Sequence, residues 1–337
     1  MLRYLFCNLF LAVTLLSATA ALGAGFEIEP FLTANRSPLV QIFGLPSETS
    51  SSLVLNGSWK FSLTQDIASI YSAHSNPAEE ILLDGELYRW SFRGQYGVTD
   101  NLEIGIEIPL LIQGGGFLDG FIVDWHKLWG LPQGGRDTAA KNRLNYRYRK
   151  NGVQLLNINK SSEGVGDISL LSAYRLFENN TDLNHTSVAL RSQLKLPTGD
   201  SSTLAGSGSV DLALFLAASF NHISEYGVLG VFASAGTMFG NDGDILKEQR
   251  ENIAGFGTVG AGWSPADWIA LKSQCLISSP LYKDSSLAEL GKNSALLTIG
   301  GTIHLPRAYM LDIGVSEDLA VSTAPDVTFH IGLTKRF

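Results

Sequence analysis

Two short stretches place a serine two residues after a histidine: His185-Thr186-Ser187 and His222-Ile223-Ser224. In an extended chain that spacing puts both side chains on one face. A base beside a hydroxyl is the start of nucleophilic chemistry, but the base needs a third group to orient it. Neither stretch has an asparagine at the matching place on the next strand. The other histidines, His74, His126, His304 and His330, are scattered, with no HExxH and no Cys/His cluster. The glycine-rich "LAGSGS" at 204–209 lacks the lysine of a phosphate loop. No catalytic residue, metal site or cofactor is expected from these patterns.

A second set of residues is more regular. Arg89, Arg93, Glu103, Glu107, Arg191 and Lys195 each sit between apolar neighbours at every other position. In "YRWSFRGQYGV", Tyr88, Trp90, Phe92 and Tyr96 alternate with Arg89, Arg93 and Gln95. In "LEIGIEI", four aliphatic residues alternate with Glu103 and Glu107, and "VALRSQLKLP" sets Val188, Leu190, Leu194 and Leu196 against Arg191, Gln193 and Lys195. Period two is the signature of a strand with two unlike faces. Charges of both signs collected on one face, with Asp167 and Asp211 joining them, suit a polar constriction that sorts solutes by charge. A lumen merely filled with paired charges has the same pattern.

The elements that position these residues recur along the chain. Alternation predicts twelve strands, at 52–64, 80–97, 102–112, 165–177, 186–197, 209–221, 226–239, 251–263, 267–279, 293–305, 308–318 and 326–337. Most are longer than the five or six residues of a typical globular strand and match the nine to eleven of a tilted membrane-spanning one. Short and long connections take turns, the long ones at 65–79, 113–164, 198–208, 240–250, 280–292 and 319–325. The expected fold is an all-β, twelve-stranded antiparallel barrel of outer-membrane type, with both termini at the short-turn side. Aromatics near strand ends, such as Trp263 and Trp268 around "WSPADW", fit an interfacial girdle. If "TDN" turns the second hairpin, Val98 faces Leu102 and Arg93 faces Glu107.

The 337 residues divide into three parts. Arg3, the apolar run from Leu5 to Leu16 and the small-residue stretch "SATAALGA" read as a secretory leader over 1–24, with cleavage after Ala20 or Ala24. Removing Arg3 with it takes the formal charge from −8 to −9, which disfavours nucleic acid as a partner. Cys7 leaves with the leader, so Cys275 has no internal disulfide partner. Residues 25–51, with prolines at 30, 38 and 46, read poorly as a strand and form a segment that plugs the mouth or lies beneath the barrel. The barrel occupies 52–337.

The long segment 113–164 holds two further features. In "GGGFLDGFIVDWHKLWGLP", Phe117, Phe121, Ile122, Trp125 and Trp129 lie on a stripe at helical spacing, predicting a short amphipathic helix within the loop. In "KNRLNYRYRK", Arg143, Arg147, Arg149 and Lys150 alternate with tyrosines. A basic outer loop of this kind suits phosphates of the outer-membrane lipid and lipopolysaccharide.

The tail, with His330, Gly332 and Phe337, resembles the signal read by the barrel-assembly machinery, departing from it at Lys335, where an aromatic is commoner. "YGVTDNLEIGIEIPLL", "GVGDISLLSAYRL" and "LRSQLKLPTGD" are similar to hairpins of the meta-pathway (phenol-degradation) barrel transporters. "FLTANRSPLVQIFGLP" resembles the opening of an uncharacterised proteobacterial outer-membrane barrel family, a domain of unknown function. The resemblance implies a channel or transporter for small molecules, and the aromatic outer loop favours hydrophobic ones. The alternatives are a structural barrel that conducts nothing and an outer-membrane lipid hydrolase, since barrels of the phospholipase kind use a His, a Ser two residues on and an Asn on the neighbouring strand.

Overall fold

The computed structural model describes residues 27–47, 49–130, 135–320 and 322–337, except for the side chains of Trp125, His126, Trp129 and Thr138. The leader read at 1–24 lies outside the described residues.

The chain closes into one antiparallel barrel. Its wall runs β1 (Trp59–Ser75), β2 (Glu79–Thr99), β3 (Leu102–Gly114), β7 (Ser169–Asn180), β8 (Asn184–Lys195), β9 (Asp211–Ser224), β10 (Gly227–Gly240), β11 (Ile253–Ala266), β12 (Ile269–Ser278), β13 (Ser294–Leu305), β14 (Tyr309–Asp318) and β15 (Val327–Arg336). Each pairs with the next, and β15 returns to β1 from Lys60↔Arg336 to Ser69↔Val327. That last ladder removes the open edge, which lipid could not satisfy. The short β6 (Ser162–Val165) continues the line of β7 along the upper part of β3. The hairpin of β4 (Asn145–Lys150) and β5 (Val153–Ile158) extends the sheet beside the upper end of β2.

The burial pattern inverts that of a soluble barrel. Leu214, Leu216 and Phe220 of β9, with Val231, Ile299 and Ile331, are exposed, while Ser62, Thr64 and Asp66 of β1 and Gln193 and Lys195 of β8 are buried. An apolar belt outside and polar groups within is the arrangement a bilayer selects.

The first strand differs from its sequence reading. Leu53 and Leu55 alternate in the right way, but Gly57 takes φ +75° and breaks the extended run, so β1 starts at Trp59 and continues through the stretch read as a loop to Ser75. Only Asn76–Ala78 separate β1 from β2, so this connection is a tall hairpin and not a long loop. In the β2–β3 turn a bulge absorbs Val98, so Thr99 and not Val98 pairs with Leu102, while Arg93 stays opposite Glu107.

Candidate functional site: a hairpin within a charged lumen

Residues 27–47 and 49–55 do not join the wall, and 56–58 touch it only through an isolated bridge to Gly97 of β2. They climb the lumen from the short-turn rim, turn at 37–43 and descend again to Trp59. At the bottom, Glu29 pairs with Lys60 (2.8 Å) and with Arg336. Higher up, the Phe31 amide donates to Gln274 Oε1 (2.8 Å), and Gln274 Nε2 donates to the Phe31 carbonyl (3.2 Å). Near the long-loop rim, Asn35 Nδ2 donates to Ser294 Oγ (2.9 Å) and to the Thr323 carbonyl (2.8 Å). On the way down, Gly44 N donates to Asp211 Oδ2 (2.8 Å), Lys195 Nζ donates to the Ile42 carbonyl (2.9 Å), and the Val54 amide donates to Glu103 Oε2 (2.8 Å). The prolines deny this segment a ladder of its own. Its buried backbone groups must still be met, and single wall side chains meet them.

Small residues make room for it. A Cβ on Gly44 would lie 2.6 Å from Asp211 Cβ, and Cβ atoms on Gly230 and Gly262 would lie 2.8 Å and 2.7 Å from atoms of Ile28. The glycine content that blurs β10 and β11 as strands in the sequence is therefore partly a groove for the first leg of the hairpin.

The apex is apolar. Leu39, Val40, Ile42 and Phe43 pack with Leu83, Tyr146, Leu204, Leu281, Tyr282 and Leu290 from the rim loops and the tall hairpin. Tyr282 OH donates to the Leu39 carbonyl (2.9 Å), and the Arg250 guanidinium lies 4.1 Å from the centre of the Phe43 ring. Outside the barrel wall proper, Tyr148 OH donates to Glu79 (2.6 Å). Burial first, then that carboxylate, pushes the Tyr148 hydroxyl up to about 12, so it stays a donor at any physiological pH.

Below the apex the wall carries its charges. Arg93 donates to Glu107 Oε2 through Nε (3.0 Å) and Nη2 (2.5 Å), while Arg89 reaches Glu107 Oε1 (3.3 Å). Arg191 pairs with Glu103 (3.1 Å). Lys195 lies between Asp167 (2.8 Å) and Asp211 (3.1 Å), and Asp211 also takes Arg250 (2.5 Å). All eight charged residues singled out in the sequence are inside the barrel and ion-paired. The sequence reading missed Asp66, which accepts from Arg36 Nε (2.6 Å) and sits 2.6 Å from His330 Nδ1. The polar face Ser62, Thr64, Asp66 was the available signal. Arg36, inside an aperiodic segment, had none.

The loop features fall elsewhere. Helix α1 spans Leu118–Trp129. Leu118 and Ile122 pack on Val327, Ile67 and Phe329, the outward face of the β1–β15 seam. Phe117 and Phe121 are exposed, Phe121 with its ring 6.1 Å from that of Phe329. The stripe therefore splits into two apolar faces, because the barrel wall offers one surface and its surroundings another. The side chains of Trp125 and Trp129 lie outside the described residues. Arg136 anchors this loop, bonded to Ser69 (2.7 Å), Asp119 (2.6 Å) and Asp326 (2.5 Å). In the basic stretch, Arg143 pairs with Asp84 (2.6 Å) and Arg147 with Glu80 (2.5 Å). Arg149 donates to the Gly152 carbonyl (3.4 Å) and Lys150 to the Asp284 carbonyl. Much of that patch is thus spent on holding the β4–β5 hairpin.

The two His-x-Ser stretches lie at the short-turn rim. His222 Nδ1 is 2.8 Å from Asn184 Oδ1 on β8, a partner the sequence reading missed because it lies on the preceding strand. Ser224, however, donates to the Gly227 carbonyl (2.9 Å) within its own turn. Ser187 joins a hydroxyl cluster with Ser51 (2.6 Å) and Ser219 (3.0 Å). Among the described residues, no group of three or more His, Cys, Asp or Glu side chains could hold a metal. At the same rim, the Phe337 ring meets Phe61 edge-on at 5.8 Å, and Trp59 packs on Phe61 (5.5 Å) and Tyr96 (4.8 Å).

A closed wall, apolar outside and charged within, defines an outer-membrane-type β-barrel. The chain belongs to the family described as protein of unknown function DUF3187, whose model matches residues 6–337. No curated protein matches it. Among solved structures it is similar to an outer membrane channel from Pseudomonas putida F1, with a TM-score of 0.54 at 12% identity over 85% of this chain and 98% of that one. The NanC porin scores 0.42 at 7% identity, over 82% and 98%. The toluene transporter TbuX of Ralstonia pickettii scores 0.37 at 11% identity, over 86% and 92%. The first of these supports the barrel fold; the other two fall below fold-level likeness.

Proposed function

We propose that this protein is an outer-membrane conduit for small polar molecules, held closed by its lumen hairpin. One observation carries the reading: a lumen wall rich in charge is filled by a single aperiodic segment, bonded to it one side chain at a time. A barrel built only as a wall could fill its interior with its own side chains, as narrow barrels do. In bacterial barrels short turns face the periplasm and long loops face out. Both ends of the hairpin then lie at the periplasmic mouth and its apex at the outer one. The aromatic loop favours a hydrophobic solute, but the buried side chains Leu118 and Ile122 of α1 pack on the outer wall. Its exposed Phe117 and Phe121 suit outer-leaflet lipid instead, and the ion pairs of Arg143 and Arg147 leave less of the basic stretch for lipopolysaccharide. His330, Gly332 and Phe337 keep their proposed role as a signal for the assembly machinery.

A structural, non-conducting barrel is the second reading, and the apolar core around Leu39 and Phe43 favours it. Single-channel recording in planar bilayers separates the two. The mature chain should be silent or flicker, and a chain lacking residues 27–51 should conduct steadily. If the shortened barrel, shown to be folded by its gel mobility, is as silent as the full chain, the conduit reading fails. Phospholipid hydrolysis by the same preparations tests the hydrolase alternative, for which the His222–Asn184 pair would be the starting point.

A further inference from the structure

Among the described residues, charge is balanced almost everywhere in the lumen. Lys195 and Arg250 face Asp167 and Asp211, Arg191 faces Glu103, and Lys272 faces Asp312. The exception lies where the hairpin meets β1–β3. There three guanidiniums, Arg36, Arg89 and Arg93, face two carboxylates, Asp66 and Glu107, and Asp66 also holds His330. All three arginines are largely buried. Arg36 Nη2 and Arg93 Nη1 have no hydrogen-bond partner. Beside Arg36 is a cavity of about 30 Å³ lined by Arg36, Arg89, Lys195, Gln193, Glu107 and Asp167, among others. That is room for about two waters, or one small anion.

The carboxylates at this cavity are already engaged. Glu107 takes both Arg93 and Arg89. Asp167 takes Lys195 (2.8 Å), the Gly199 amide (2.9 Å) and the Ser207 amide (3.1 Å). An unmatched buried cation is costly, and a charge-assisted hydrogen bond to an anion relieves it. We infer that the cavity between Arg36 of the hairpin and Arg89 of β2 is a binding site for one small monovalent anion, a halide or a simple carboxylate. Because one wall of the site is the hairpin, the bound anion also pins the hairpin in place.

The test uses the full mature barrel in detergent and is independent of any conductance. At constant ionic strength, bromide or acetate replaces the bulky anion gluconate, and the thermal unfolding midpoint is followed by tryptophan fluorescence. The midpoint should rise and saturate with either small anion. Arg89→Gln, which leaves Glu107 both of its bonds from Arg93, should abolish the rise, and Arg89→Lys should weaken it. Glu107→Gln increases the excess positive charge and should move saturation to several-fold lower anion concentration. It also serves as the decisive variant if Arg89→Gln does not assemble. In crystals grown with bromide, an anomalous peak should lie in the cavity against Arg36 and Arg89. A midpoint that tracks ionic strength alone, an unchanged saturation curve in Arg89→Gln, or bromide only on the outer surface would overturn the assignment.

Discussion

The wall and the hairpin share one interior and are held by opposite means. Each wall strand is hydrogen-bonded to a neighbour on both sides, so its register is decided many times over. The hairpin has no such ladder. Among the described residues, Gln274 alone holds the Phe31 peptide, Asp211 alone meets Gly44 N, and Tyr282 alone caps the Leu39 carbonyl. A ladder is lost cooperatively, whereas isolated bonds can be lost locally and in sequence. On the proposed reading the wall is the permanent part of the molecule and the hairpin the removable part.

The contrast can be broken first at the wall. Ile331→Arg places a charge on the exposed face midway along β15. The expected cost is about 2–4 kcal/mol, seen as a sharp fall in the heat-modifiable fraction in membranes. Removal of residues 27–51 should leave most of that fraction intact. If the deletion assembles no better than Ile331→Arg, the hairpin belongs to the permanent structure.

A smaller effect is expected inside. Gly44→Val puts a side chain where Asp211 Cβ already lies, so the descending leg must lift away. The wall should assemble normally. A cysteine at Ser50, buried beside Glu27, should then react with a small water-soluble thiol reagent in Gly44→Val and be protected without it. Equal protection would mean the leg can shift without leaving the wall.

The loop and the rim should respond more weakly. Ile122→Ser removes a buried contact of α1 with the seam and should cost about 1–3 kcal/mol locally. Faster proteolysis within 115–144, with the barrel unchanged, is the expected outcome. Phe337→Ala removes one ring of the rim cluster and should cost about 1 kcal/mol, lowering the unfolding midpoint slightly. The amount of assembled barrel at matched synthesis should nonetheless fall, because Phe337 belongs to the proposed assembly signal; an unchanged amount would count against that role.

What was legible in the sequence follows the same division. The wall repeats every two residues, so β2, β3 and β8 could be placed, and Arg93 and Glu107 with them. Periodicity failed where a surface is not lipid on one side and lumen on the other. The upper part of β1 is covered outside by α1 and Arg136, so it carries Ser69 and Tyr71 where lipid would select aliphatic residues. The hairpin has no period, so neither its path nor the role of Arg36 could be read. The pairing of His222 with Asn184 was missed for a different reason: spacing along the chain looks forward, and the partner strand lay behind.

Both ends of the hairpin sit at one mouth, and its second leg runs directly into Trp59 of β1. It can thus leave the lumen without threading a free end through the barrel and without losing its tether. Re-entry is then a unimolecular search by a leashed segment, whose closing cost grows only slowly with leash length. Its effective local concentration is set by the chain and not by the abundance of any partner. Such a stopper would close at the same rate in a sparse membrane as in a crowded one, and the time it spends displaced would be set by whatever holds it out.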